Sequence, residues 1–259
     1  EAQLGVKLVH RTTHRFQVTE VGRRVFTHAQ AIANEAAAVS AAVSDVLAEP
    51  SGSLRVSTSP LAAELYLGAW LAEFAMQHPK ISLSLETTNR FVDLIGEGID
   101  LALRYAATPM QSEDIVARRI GEGRMVLVGA PVLFKGVGEP RDIGDLPSYP
   151  ALGLGGVGAV RPWTFRADSG DELIYQPTPR LVSDSVPALR EAALRGAGLV
   201  QLPSAACAQA LRSGSLHAVL TARDSLPTPL YAMYPSRQGM TSALRTLVDF
   251  VEERFKGIT

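Results

Sequence analysis

One cysteine, Cys207, is all the thiol chemistry in this 259-residue chain. No internal disulfide can form, so the fold must rest on its core, and a reducing cytoplasm is the natural compartment. Long apolar runs are missing as well. None approaches the roughly eighteen residues that a membrane-spanning helix requires, and the first residues lack the layout of a secretory signal. The histidines at positions 10, 14, 28, 78 and 217 have no metal-ligand spacing with Cys207 or a carboxylate. Neither a G-x-S-x-G elbow nor a kinase-type loop occurs. No metal, no cofactor and no enzymatic activity is therefore expected. An excess of charge of one sign is also absent: 25 Lys and Arg against 26 Asp and Glu leave a formal net charge of −1. That excludes a surface built throughout for nucleic acid, although a local cluster of cations can still hold phosphates.

What the chain does have begins at its start. It is long enough for one or two domains with sizeable cores. Position 1 is Glu and not Met, and the first residues read as the tail of a helix, so a fragment whose beginning is missing is expected. Residues 4–22, LGVKLVHRTTHRFQVTEVG, are strongly cationic. Lys7, Arg11, Arg15, Arg23 and Arg24 face Glu20 alone, with His10, Thr12, Thr13 and His14 interleaved. The alternation predicts two short strands with a turn near Thr13 and His14. Such a hairpin can lie along a DNA duplex with its cations on phosphates; a solvated, charged edge strand is the plainer alternative.

Thr19 is a plausible N-cap for the helix that follows. Val25, Ala29, Ile32, Ala36, Val39, Val43 and Val46 step alternately by four and three, an a/d seam over three heptads. The segment EPSGS at 49–53 then stops the helix. A core helix packed within its own subunit is one reading of the seam. The other is pairing with a second copy, which would set two basic hairpins on the half-sites of a palindrome.

These residues resemble the LysR-type transcriptional regulators. Leu4, Gly5, Leu8, Arg11, Thr12, Thr13, Arg15, Thr19 and Gly22 match the family's phrase for the end of the recognition helix and the wing, ahead of its linker helix. Val9 and Val21 depart from it. Further on, RFVDLIGEGIDLALR, RPWTF, ALREAALRGAGLVQLP and LYAMYPSR resemble the family's regulatory part. The resemblance implies a winged helix-turn-helix whose first helices are absent from this chain. It also implies an α/β regulatory domain of two subdomains, like periplasmic binding proteins. Residues 1–22 would be the end of the recognition helix and the wing, with 23–50 the dimerising linker helix. Subdomain I would take 52–146 and 228–257, and subdomain II 147–227. The implied partners are double-stranded DNA, a small-molecule effector and further copies of the chain, as homodimer or homotetramer through the linker helix, with no membrane. Lys7, Arg11, Thr12, Thr13, His14 and Arg15 would be the wing's DNA contacts.

The residues alone support the α/β reading. LRVSTS, ISLSLETT, IDLALRY, IVARRI and RMVLVGA read as strands, with a helix opening at Pro60 and a short helix over NRFVDLIGEG. This order argues for a mixed sheet with right-handed crossovers. The glycine string at 153–160 lacks the order of a dinucleotide loop and reads as an ordinary loop. Near the end, TSALRTLVDFVEERF sets Leu244, Leu247, Val248, Val251 and Phe255 on one helix face.

In a two-lobed α/β body the ligand lies at the carboxyl ends of strands. Ser57, Thr58 and Ser59 end one strand, Thr88 and Asn89 another, and Ser183 and Asp184 a third in the second half. Free N–H groups and hydroxyls there suit a carboxylate or similar anion; ordinary capping is the first explanation for any one of them, and the convergence of several on one cleft favours binding. Arg104, Gly155 and Pro203 complete the candidate effector set. Ser183, Arg195 and Gln201 depart from the family pattern. A solute-binding protein of a transport system is the alternative function, and it would call for a signal peptide and no heptad helix.

Overall fold

The computed structural model describes residues 1, 5–12, 15–26, 28–29, 32, 49–108, 112, 114–156, 158–167, 169–223, 225–236 and 240–256. The basic stretch folds as the alternation predicts. Val9–Thr12 (β1) pairs antiparallel with Arg15–Val18 (β2), Thr12 facing Arg15, so the chain reverses between them. Thr13, His14 and the side chains of Arg11, Thr12 and Arg15 lie outside the described residues.

Residues 20–26 are helical (α1), and Thr19 caps them. Its Oγ1 accepts from the Gly22 N–H at 2.9 Å, and its carbonyl accepts from the Arg23 N–H at 2.9 Å. The same hydroxyl donates back to the Lys7 carbonyl at 2.9 Å, tying hairpin to helix. Gly22 makes this approach possible, since a Cβ there would stand 2.0 Å from the Leu8 carbonyl oxygen. Of the heptad seam, Val25, Ala29 and Ile32 are described; Ala36, Val39, Val43 and Val46 fall outside.

The body holds two separate cores. In the first lobe Gly52–Thr58 (β3), Ile81–Thr87 (β4) and Leu101–Tyr105 (β5) run parallel. Ile115–Gly123 (β6) and Thr228–Pro235 (β15) complete a mixed sheet of order β4-β3-β5-β15-β6, with β15 antiparallel to both neighbours. The helical run after Pro60 passes through Pro60–Ala62 (α2), a wider turn at Ala63–Leu67, and Gly68–Gln77 (α3). It packs with Ser242–Lys256 (α6) on one sheet face. Leu67, Leu71 and Phe74 meet Leu244, Leu247, Val248, Val251 and Phe255 there, so the apolar face of the last helix is buried as its periodicity predicts.

The second lobe is built on Met125–Gly129 (β7), flanked antiparallel by Val200–Pro203 (β13) and His217–Ala218 (β14). Beside it Ala151–Gly156 (β8) lies between Pro179–Ser183 (β12) and Ala159–Val160 (β9). A hairpin joins Trp163–Arg166 (β10) to Glu172–Tyr175 (β11). Val186–Leu194 (α4) and Ser204–Arg212 (α5) cover the sheets, burying Leu189, Ala193 and Cys207 against Val128 and Leu152.

Two expectations need correction. Residues 125–146 belong with the second lobe, not the first. Among the described residues β7 finds its ladder partners in β13 and β14 alone, and Leu127, Phe134 and Leu146 are buried in that core. A strand's sequence shows that it pairs, not with whom. The second correction concerns residues 89–98, which form an irregular segment ending in a turn at 94–98 in place of the expected helix. Side chains satisfy the backbone locally: the Glu97 carboxylate accepts from the Asp93 N–H at 2.9 Å, and Asp93 Oδ1 accepts from the Gly96 N–H at 3.0 Å. Such bonds compete with a helical ladder. Gly98, at φ +65°, closes the turn.

Candidate functional site

Parallel strands leave their carboxyl ends on one edge, and in the first lobe that edge gathers most of the expected effector residues. Ser57 and Thr58 end β3 and are fully buried. The Thr58 hydroxyl donates to the Leu103 carbonyl at 3.2 Å, and its own carbonyl accepts from the Thr88 N–H at 2.9 Å, so the three strand ends are stitched together. Thr88 Oγ1 in turn accepts from the Arg90 N–H at 3.2 Å. The second lobe reaches this edge directly. Asn89 Nδ2 donates to the Asp184 carbonyl at 3.1 Å, joining residues 95 positions apart. Ser183, the last residue of β12, accepts through Oγ from the Ser185 N–H at 3.1 Å, which shapes the turn that offers Asp184.

Arg104 lies inside this edge. Its Nη2 donates to Ser57 Oγ at 2.8 Å and its Nη1 to the Leu103 carbonyl at 3.0 Å. Burial lowers its pKa from the ordinary value; Glu86 counters that and Arg90 adds to it. The remaining expected residues have plainer roles. Ser59 Oγ accepts from the Ala62 N–H at 3.2 Å and so caps the helix that opens at Pro60. Gly155, at φ +150°, lets β8 and β9 meet, because a Cβ would stand 2.2 Å from the Ala159 carbonyl oxygen. Pro203 pairs with Met125 beside the chain's crossing between lobes. The hydrogen bonds that stitch the strand ends together run through neither Gly155 nor Pro203.

Two positions, Ser225 and Tyr66, escaped sequence reasoning. Ser225, buried, accepts through Oγ from the Met125 N–H at 3.1 Å and donates to the Met125 carbonyl at 3.0 Å, clasping the two crossing segments. Tyr66 and Tyr105 share a hydroxyl hydrogen bond of 2.8 Å, and burial pushes both phenols up. The Tyr105 ring packs so close to Gly123 that a Cβ there would lie 2.9 Å from it. A signal existed for neither Ser225 nor Tyr66, since each works through a partner about a hundred or about forty positions away. Gln201 did stand out as a departure. It mimics a strand, accepting from the Thr164 N–H at 3.0 Å and donating to the Thr164 carbonyl at 2.7 Å, and so holds β10 to β13.

With this geometry in place, the chain can be compared with known proteins. The model of the LysR substrate binding domain matches residues 47–256. The chain belongs to the LysR family. Curated LysR-type relatives include an HTH-type transcriptional regulator of Xanthomonas campestris, 30% identical over 257 residues, which span 98% of this chain and 74% of that protein. CrgA of Neisseria meningitidis is 30% identical over 255 residues, 98% of this chain and 84% of CrgA. The solved structure of CrgA superposes with a TM-score of 0.70 at 28% identity, covering 98% of this chain and 85% of that one. Full-length AphB, a virulence activator of Vibrio cholerae, has the same fold, with a TM-score of 0.68 at 23% identity over 96% of this chain and 84% of that one. This LysR-type chain is thus a transcriptional regulator with an effector-binding domain, and the transport alternative is set aside. Among the described residues, no helix is long and apolar enough to cross a membrane.

Proposed function

We propose that the chain is a cytoplasmic, DNA-bound regulator whose affinity or geometry on DNA is set by a small anionic effector held between its two lobes. The observation that carries this is the meeting of both lobes at Asn89 and Asp184, next to Thr88, whose N–H bonds the Thr58 carbonyl at the end of β3. A ligand lodged there contacts both lobes at once, so it favours one lobe arrangement over another, and a preference of that kind shifts populations. The two segments clasped by Ser225 are the pivot about which the lobes turn.

The basic wing supplies the DNA end of the coupling. Lys7, Arg11 and Arg15 neutralise phosphates, and Thr12, Thr13 and His14 add hydrogen bonds to the duplex backbone. The linker helix pairs two such wings as a dimer, or as part of a tetramer. The described part of the seam supports pairing, because Ile32 is 70% exposed on its own subunit and Val25 and Ala29 join none of the buried cores.

The test is fluorescence anisotropy of a labelled duplex titrated with the chain at several salt concentrations. Two wings, each neutralising about three phosphates, give a slope of log K against log salt near −5. K7A/R11A/R15A flattens that slope toward zero and weakens binding on every sequence alike. Binding with no salt dependence, or with the same slope in the triple variant, removes the wing from the account.

A further inference from the structure

A guanidinium taken out of water needs its charge answered, and every N–H it carries needs an acceptor. Arg104 is 7% exposed, and its hydrogen bonds go only to neutral oxygens, those of Ser57 and Leu103. Its Nε is buried with no partner at all. Glu86 acts on Arg104 electrostatically, but that carboxylate is in contact with Arg55 at 4.0 Å and Arg90 at 3.6 Å. Arg90, of like charge, is itself committed to Glu97 through both terminal nitrogens. The sheet face around Arg104 is otherwise apolar, with Ala102, Met233, Val92 and Ile99 packed together and Tyr231 opposite in register. A buried, under-answered cation near the carboxyl end of a central strand is expensive, and such exceptions mark sites that await a partner.

We infer that the effector carries a carboxylate, gripped side-on by Arg104 with the Ser57 hydroxyl as a third donor. This rests on the reading of the strand-end cluster as the effector site. The Nε–H and the adjacent Nη2–H of a guanidinium point the same way and match the two oxygens of one carboxylate. Ser57 accepts from Nη2, which leaves its own proton to give. All three groups donate, so the site suits a group that only accepts. A primary amide of the same shape brings an N–H₂ where an acceptor is needed and is rejected. Lys at this position keeps the charge but loses the fork.

The experiment is calorimetric and thermal-shift titration of the full chain with acetate, succinate and benzoate, each against its neutral amide. Ionic strength is held constant in a chloride-free buffer. At least one carboxylate is expected to stabilise the chain saturably and to bind about tenfold or more tightly than its amide. R104K and R104M lose about tenfold or more of that affinity, and S57A loses a smaller factor. Equal binding of acid and amide by the native chain overturns the inference without any variant being needed. So does unchanged carboxylate binding in folded R104K, or the absence of stabilisation by all three acids. The regulatory reading fails separately. A carboxylate that binds through Arg104 yet leaves DNA affinity unchanged sinks that reading and spares this one; a neutral molecule that shifts DNA affinity equally in R104K does the reverse.

Discussion

Gln201 shows how one side chain can replace a stretch of strand. Its amide presents one donor and one acceptor at the spacing of a peptide group, so it bonds the Thr164 backbone as a neighbouring strand would. The site is buried. Q201L therefore strands a peptide N–H and C=O with no partner and costs about 2–4 kcal/mol. Urea unfolding followed by tryptophan fluorescence checks this through Trp163, which lies beside Thr164; the midpoint falls with little change in slope. Q201E keeps one of the two bonds and falls between. Gly22 is the opposite case, a residue that acts by having no side chain. G22A places a methyl against the Leu8 carbonyl and pries the wing from α1. DNA affinity in the anisotropy assay drops about tenfold or more, while the thermal midpoint of the two-lobed body is unchanged.

At the scale of elements, periodicity and punctuation carried most of the information. The hairpin pairing Thr12 with Arg15 and the amphipathic α6 were both readable, because each is decided by neighbours within a few residues. Residues 89–98 were not. Their apolar spacing suits a helix, and what overrides it is a set of side-chain bonds centred on Glu97, whose value depends on where Arg90 arrives in three dimensions. Nor could the strand at 125–129 announce its lobe, since its partners lie some seventy to ninety positions on. In the candidate site, the hydroxyls at strand ends were readable from position alone, whereas the Ser225 clasp was not. Glu97 also makes a pH prediction. The Arg90 guanidinium and the Asp93 N–H hold its carboxyl at about 2, well below the ordinary value of 4.5. A depressed acid stabilises its fold fully above its ordinary value and loses that contribution as pH falls toward the folded one. Hydrogen exchange at the Asp93 amide, referenced to its intrinsic rate, is thus expected to show constant protection from pH 7 to 5. Protection then declines as pH drops from about 4.5 to about 2. Protection that is flat through that window removes Glu97 as the staple.

On the proposed function, the whole molecule joins three parts that meet different needs: a cationic hairpin for phosphates, a seam for a second copy, and two lobes whose strand ends meet. None of these does the work alone. A wing without pairing binds DNA weakly and anywhere, and a cleft without a wing has nothing to report to. Coupling between them is a free energy shared by two binding events, and it must be the same whichever event comes first. The decisive measurement is therefore DNA affinity by anisotropy, on duplex DNA from upstream of the protein's own coding sequence, with and without a saturating carboxylate. Carboxylate affinity is measured in parallel, with and without that DNA. Matching factors of about five to about a hundred and fifty in the two experiments are expected. Identical DNA affinity at zero and saturating carboxylate contradicts the account.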